Sequence, residues 1–166
     1  MTRTAAISIA VVCLVMVAVA TGRGNGTGGS LPAFSARTLD GTLLTEGMFT
    51  GRPVLLIFWN TWCPLCRREL PAVDRLARRF APRGLAVLAV NTALNDSEKK
   101  ARSYWAKSGY LFPTVFDSSF RMGQAFKVLG VPTVLLVDAA GRERFRGSLL
   151  PDDIEERLTR LTPPAN

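Results

Sequence analysis

Residues 53–59 read PVLLIFW, an unbroken apolar run that gives way at WCPLC (62–66) to a different periodicity. A run this short and uniformly apolar reads as a strand buried on both faces. From Pro64 onward, Leu70, Val73, Leu76, Ala77 and Phe80 recur at helical spacing with arginines between them, which predicts an amphipathic helix. GLAVLAVNT (84–92) then returns as a second buried strand. Strand, helix and strand at this spacing imply a parallel pair with a right-handed crossover. Two cysteines therefore sit where a buried strand passes directly into a helix.

The remaining elements extend this unit. AFSARTLDGTLLTE carries apolar residues on either side of Asp40-Gly41, a two-residue hairpin turn signal. After the second strand, Asn95 as a cap with Glu98 three residues on predicts a helix that Gly109 ends. LFPTVFD reads as extended and SSFRMGQAFKVLG as a short helix. PTVLLVD (132–138) and RERFRGSL form a hairpin turning at residues 139–141. PDDIEERLTRL starts a last helix, with acids early and Arg157 and Arg160 late, matching the helix dipole. Pro71 lies inside the first helix and is expected to kink it. The order is that of an α/β sheet with helices on both faces.

An apolar stretch, AAISIAVVCLVMVAVA (5–20), follows Arg3 and precedes the glycine-rich TGRGNGTGGS. It is shorter than the ~20 residues of a comfortable membrane span and ends in a small-x-small pattern. Residues 1–21 are read as a signal peptide or a retained membrane anchor, either of which puts the rest outside the cytoplasm. Cys13 follows the bulky Val12, which argues against lipid attachment, and is read as a core residue of this leader. Residues 22–33 have the composition of a flexible linker, leaving 34–162 as the folded domain.

The formal charge is +8, from 21 Lys and Arg against 13 Asp and Glu. Much of the excess lies in RRELPAVDRLARRFAPR. It is read as a solvated helix face, because no aromatic-basic alternation or groove-reading motif accompanies it, and no nucleic-acid partner is expected. The chain has no histidine. That removes histidine triads, Cys-His nucleophile pairs and histidine ligation of zinc or haem.

Apart from the leader's Cys13, Cys63 and Cys66 are the only cysteines. A zinc or iron–sulfur centre needs about four ligands, so one chain cannot close such a site, although two chains could share one. A structural staple is a weak reading, because a two-residue loop removes little unfolded-state entropy. A redox pair remains, with no metal and no cofactor beyond the Cys63–Cys66 dithiol itself. If the helix starts at Pro64, Cys63 is its N-cap, where unsatisfied N–H groups and the positive dipole end favour a thiolate. Such placement brings a cysteine pKa down to about 3.5–7.5. Cys63 is thus expected to attack, and Cys66, enclosed in the first turn, to resolve the mixed disulfide.

FWNTWCPLCRRELP, followed about seventy residues later by VLGVPTVLLVDAAGRERFRG, resembles the thioredoxin superfamily. Within it the chain is similar to the TlpA/ResA-type (CcmG/DsbE-like) extracytoplasmic thiol-disulfide oxidoreductases, over roughly residues 31–161. The resemblance implies a thioredoxin-like fold: a central mixed sheet flanked by helices, with an N-terminal hairpin and a helical insert. It implies that Pro132 is a cis-proline packed against the cysteines and that Val131 offers its backbone to an extended substrate. Thioredoxin proper carries a buried aspartate six residues before the first cysteine, where this chain has Ile57. The TlpA/ResA branch has a glutamate three residues after the second cysteine, matched by Glu69, which is assigned to proton traffic for Cys66. Read without the resemblance, Glu69 is an exposed acid complementing a helix start.

Between the cysteines, Pro64 and Leu65 stand in the reverse of the order that many relatives show, and in the superfamily these positions tune reduction potential. Trp62 is expected to shield the disulfide and line the substrate surface, Trp59 to be core, and Tyr104 and Trp105 to be core or a minor contact surface. Peroxidases on this fold carry a threonine where this chain has Asn60, which argues against peroxide reduction. The function expected is reduction of protein disulfides outside the cytoplasm, with apocytochrome c maturation as the job the resemblance suggests. Its partners would be a protein thiol or disulfide and a membrane redox protein. The alternatives are an oxidant or isomerase acting on exported proteins, and a non-catalytic binding module.

Overall fold

A computed structural model describes residues 31–164. The predicted leader (1–21), most of the linker and Cys13 lie outside the described residues. Among the described residues no helix is long and apolar enough to cross a membrane.

A five-stranded mixed sheet forms the centre, in the order β5-β4-β3-β6-β7. Its strands are β3 (Val54–Trp59), β4 (Ala86–Asn91), β5 (Thr114–Phe116), β6 (Thr133–Val137) and β7 (Glu143–Gly147). β3 and β4 are parallel, joined through helix α1 (Pro64–Phe80), and β6 and β7 form an antiparallel hairpin on the other side of β3. Successive side chains of a strand point to opposite faces, and both faces of β3 are covered. Leu55, Ile57 and Trp59 pack with Leu70, Val73 and Phe80 of α1, Ala101 of helix α2 (Glu98–Ser108), and Ile154 and Leu158 of helix α4 (Ile154–Leu161). Val54, Leu56 and Phe58 pack with Met122 of helix α3 (Arg121–Ala125), Phe126, Phe34 and Leu31. The packed domain thus includes Leu31, within the stretch read as linker. The uniform apolarity of 53–59 has this two-sided burial as its cause.

The N-terminal hairpin, β1 (Ser35–Arg37) with β2 (Leu43–Thr45), docks on the sheet edge through a Thr38–Val115 bridge. Its connection is wider than the two-residue turn the sequence suggests. Thr38 N–H donates to the Thr42 carbonyl at 2.9 Å, so Leu39, Asp40 and Gly41 form the tip. Leu39 turns into the core, the Asp40 carboxylate accepts from the Thr38 hydroxyl and the Thr42 N–H, and Gly41 supplies a φ of 100°. The hairpin between β6 and β7 turns as expected, with Gly141 N–H donating to the Asp138 carbonyl.

Two helix details differ from the sequence reading. The cap of α2 is Ser97, whose hydroxyl accepts from Lys100 N–H; Asn95 instead adopts a left-handed φ of 51° in the preceding loop. α4 begins at Ile154, later than the acids suggest. Gly109 ends α2 in the left-handed conformation, as expected. α1 runs as a single helix across Pro71.

Candidate active site

The site is built on the junction of β3 and α1. Pro64 occupies the first helical turn and Cys63 is the N-cap, in an extended conformation. Its Sγ accepts a hydrogen bond from the Cys66 N–H at 3.1 Å. One of the four unsatisfied donors of the helix start is thereby directed at sulfur. The two cysteines are disulfide-bonded, with Cα atoms 5.3 Å apart. Cys66 is fully buried, whereas Cys63 keeps 3% exposure, so an incoming sulfur meets Cys63 first.

β6 brings the second motif to the same place. Phe58 pairs with Thr133, which sets Val131-Pro132 beside the end of β3. The Val131–Pro132 peptide bond is cis, Pro132 is buried, and Val131 packs against the cluster that contains both cysteines. Ile57 is buried in that cluster too, so apolar surface stands where thioredoxin proper has a carboxylate. Trp62 and Leu65 are about half exposed next to the disulfide, and the Trp62 indole N–H donates to the Leu94 carbonyl at 2.8 Å.

Glu69 lies three residues after Cys66 on α1, a spacing that puts the two on one helix face. It is mostly buried: its side chain is 13% exposed. Its Oε2 accepts the Leu150 N–H at 2.9 Å, which ties the loop before α4 to α1. This is neither a free surface acid nor an unengaged base.

Sequence reasoning passed over a polar network beneath the segment that carries the cysteines. Asp96 accepts from the Thr61 N–H (2.6 Å), the Thr61 hydroxyl (2.7 Å), the Asn91 amide (2.9 Å) and the Ser97 N–H (2.9 Å). Asn60, fully buried, donates to Asn91 Oδ1 and accepts from the Thr92 hydroxyl. Burial pushes the Asp96 carboxyl up, but the hydrogen bonds from Asn91, Thr61 and Ser97 outweigh it and hold the group below the usual aspartate value. The signal available in the sequence was the cluster of small polar residues at 60–61, 91–92 and 95–97, directly after two strands buried on both faces. Trp59 is core as expected, donating to the Thr114 hydroxyl and packing on Tyr104 and Trp105. Among the described residues no cluster of three or more His, Cys, Asp and Glu could hold a metal ion.

A mixed sheet with a cysteine pair at the first turn of α1 and a cis-proline at the start of β6 defines a thioredoxin-like protein with a dithiol/disulfide site. Residues 27–145 match the AhpC/TSA family, and the chain belongs to that family. It is 34% identical to the thioredoxin-like protein YneN of Bacillus subtilis over 79% of this chain and 78% of the relative. It is 30% identical to the thiol-disulfide oxidoreductase ResA of Geobacillus kaustophilus, over 82% and 78% respectively. The structure of MTB dsbF in its mixed oxidised and reduced forms superposes with a TM-score of 0.71 and 29% identity, over 80% of this chain and 98% of that one.

Proposed function

We propose that this protein is an extracytoplasmic thiol-disulfide oxidoreductase that reduces disulfides of other proteins. The observation that carries the reading is the asymmetry of the cysteine pair. Cys63 is the more accessible, at a helix N-cap with a backbone N–H aimed at its sulfur, and Cys66 is sealed behind it. In the reduced protein the Cys63 thiolate attacks one sulfur of a substrate disulfide, forming a mixed disulfide and releasing the other as thiolate. Cys66 then gives up its proton and attacks Cys63 Sγ, which restores the Cys63–Cys66 disulfide and frees the second substrate thiol. Two electrons pass to the substrate, and a membrane redox partner returns them.

Glu69 is the acid assigned to the Cys66 proton. Trp62, Val131 and Pro132 form the surface against which an extended substrate lies. Pro64 and Leu65 set the reduction potential. The apolar segment at 5–20 supports export, by a cleaved signal or a retained anchor, and the relatives named ResA support a reductive role. Apocytochrome c is the substrate this reading favours.

The test is trapping. A Cys66→Ser protein should hold its partners as mixed disulfides through Cys63, and their identity names the pathway. Absence of mixed disulfides in a folded variant would refute the exchange mechanism. A measured potential near −120 mV, at the oxidising end of the superfamily, would move the assignment to disulfide formation.

A further inference from the structure

Lysine occurs four times in this chain, at positions 99, 100, 107 and 127, against seventeen arginines. Three of the four line one groove beside the disulfide. This groove, about 660 Å³, runs along one side of α2 and is walled by Lys99, Lys100, Lys107, Arg67 and Thr61. Arg67 Nε donates to the Thr61 carbonyl at 2.9 Å, which joins the groove to the segment leading into Cys63.

Four cations share this groove without an ion pair; Arg37, Arg52, Arg75, Arg83, Arg121 and Lys127 also make none among the described residues, but none of them lines it. Nine arginines elsewhere pair with carboxylates. Among the described residues, no ion pair is made by Lys99, Lys100, Lys107 or Arg67. The two acids nearby are occupied: Glu98 pairs with Arg102 at 2.7 Å, and the Asp96 carboxylate accepts from Thr61, Asn91 and Ser97. Like charges left together in one groove repel one another and raise the local potential for an anion.

We propose that this groove docks an acidic peptide segment flanking the reactive cysteine of the protein partner. The proposal rests on the oxidoreductase reading and names the chemistry of its partner. Lys99 to Lys107 spans about 12 Å of helix, which an extended chain covers with about four residues. Thr61, two residues before Cys63, and Arg67, one residue after Cys66, both line the groove, so a segment lying in it is held close to the cysteine pair. Lysine suits a brief encounter: it is a hydrated, flexible point charge that attracts without the geometric lock of an arginine–carboxylate fork. Such contacts raise association rate and selectivity and leave the partner free to depart after electron transfer. A lipid surface is the poorer fit, because the groove's lining includes no large exposed apolar side chain to insert.

The first test is binding of a fluorescent, cysteine-free peptide with four consecutive glutamates to the oxidised full-length protein, against the same peptide with glutamines. The glutamate peptide is expected to bind about 10-fold more tightly at low ionic strength, with the gap shrinking as salt is added. Lys99→Gln, Lys100→Gln and Lys107→Gln together should abolish the gap. Arg75→Gln, Arg121→Gln and Lys127→Gln together remove equal charge elsewhere and should keep it. Equal loss in both triple variants, or retention in the groove variant, overturns the proposal. Binding to anionic phosphatidylserine vesicles that only the groove variant loses, without any peptide preference, overturns it in favour of a membrane surface. A second arm times exchange between the reduced protein and disulfide-linked peptides flanked by glutamate or glutamine. Exchange without a glutamate preference overturns the docking proposal alone. Failure to exchange with either peptide refutes the oxidoreductase reading, while the binding arm still decides the groove.

Discussion

The backbone N–H of Cys66 points at the sulfur of Cys63 from 3.1 Å, across the first turn of the helix that both residues begin. In the reduced protein that donor and the helix dipole favour charge on Cys63. Cys63 should therefore alkylate with iodoacetamide at pH values below those that ordinary thiols require, with Cys66 protected until the protein unfolds. Mass spectrometry of the singly labelled protein identifies the sulfur; label found first on Cys66 would reverse the assigned roles.

Glu69 can be separated into its two jobs. Glu69→Gln retains an oxygen for the Leu150 N–H and loses only the ionisable group, so stability should barely change while the pH profile of mixed-disulfide resolution shifts. Glu69→Ala leaves the Leu150 N–H without its partner and should cost about 1–3 kcal/mol. Denaturant unfolding and stopped-flow exchange, run on both variants, distinguish them. An unchanged pH profile in Glu69→Gln leaves Glu69 as a clamp and nothing more.

Asp96 predicts an acid-sensitive tie under the active site. Its folded carboxyl titrates below the usual value of about 3.9. The stabilisation is therefore complete above that value and is lost as pH falls through the folded pKa. Asp96→Asn should be clearly less stable than the parent at pH 7, and the two should converge as pH drops below about 4. A constant difference in urea midpoint across that range would show that the carboxylate's charge does not matter. Asp96→Ala, which strips acceptors from Thr61 and the buried Asn91 amide, should lose about 1–3 kcal/mol at neutral pH.

Leu65 is half exposed in the first turn of α1, where proline is tolerated. Leu65→Pro removes one of the free helix-start N–H groups that favour charge on the N-cap Cys63, without disturbing the core. A thiolate with fewer donors is less stable, so the reduced form loses ground and the potential should become more negative. A shift of about 30 mV corresponds to a tenfold change in equilibrium constant. Equilibration with a glutathione redox buffer measures it; a shift in the oxidising direction would contradict the role given to these donors.

The β3–α1–β4 unit was legible because burial on both faces leaves an unmistakable apolar run, and because the period changes at the cysteines. Capping, turn width and the Asp96 network were less so. Asn95 and Ser97 are both good caps by type, and the choice between them follows from Thr61 holding Asp96, a partner 35 positions away. Leu39 widens the first hairpin because the core accepts it, which no local turn preference records. Glu69 presents the same limit: its spacing from Cys66 is local, whereas its bond to Leu150 crosses 81 positions.

By itself the sequence determined that the chemistry runs on two thiols. A chain without histidine and with one CxxC pair at a strand-to-helix junction leaves little else for those cysteines to do. The tertiary structure decided which surfaces surround them. The β3–β6 register sets cis-Pro132 beside the end of β3, while α2 folds back to place three lysines along the groove at Thr61. The physical reason is range. Periodicity and helix starts are set by neighbours a few residues apart, whereas the walls of the site come from segments that meet only when the sheet closes.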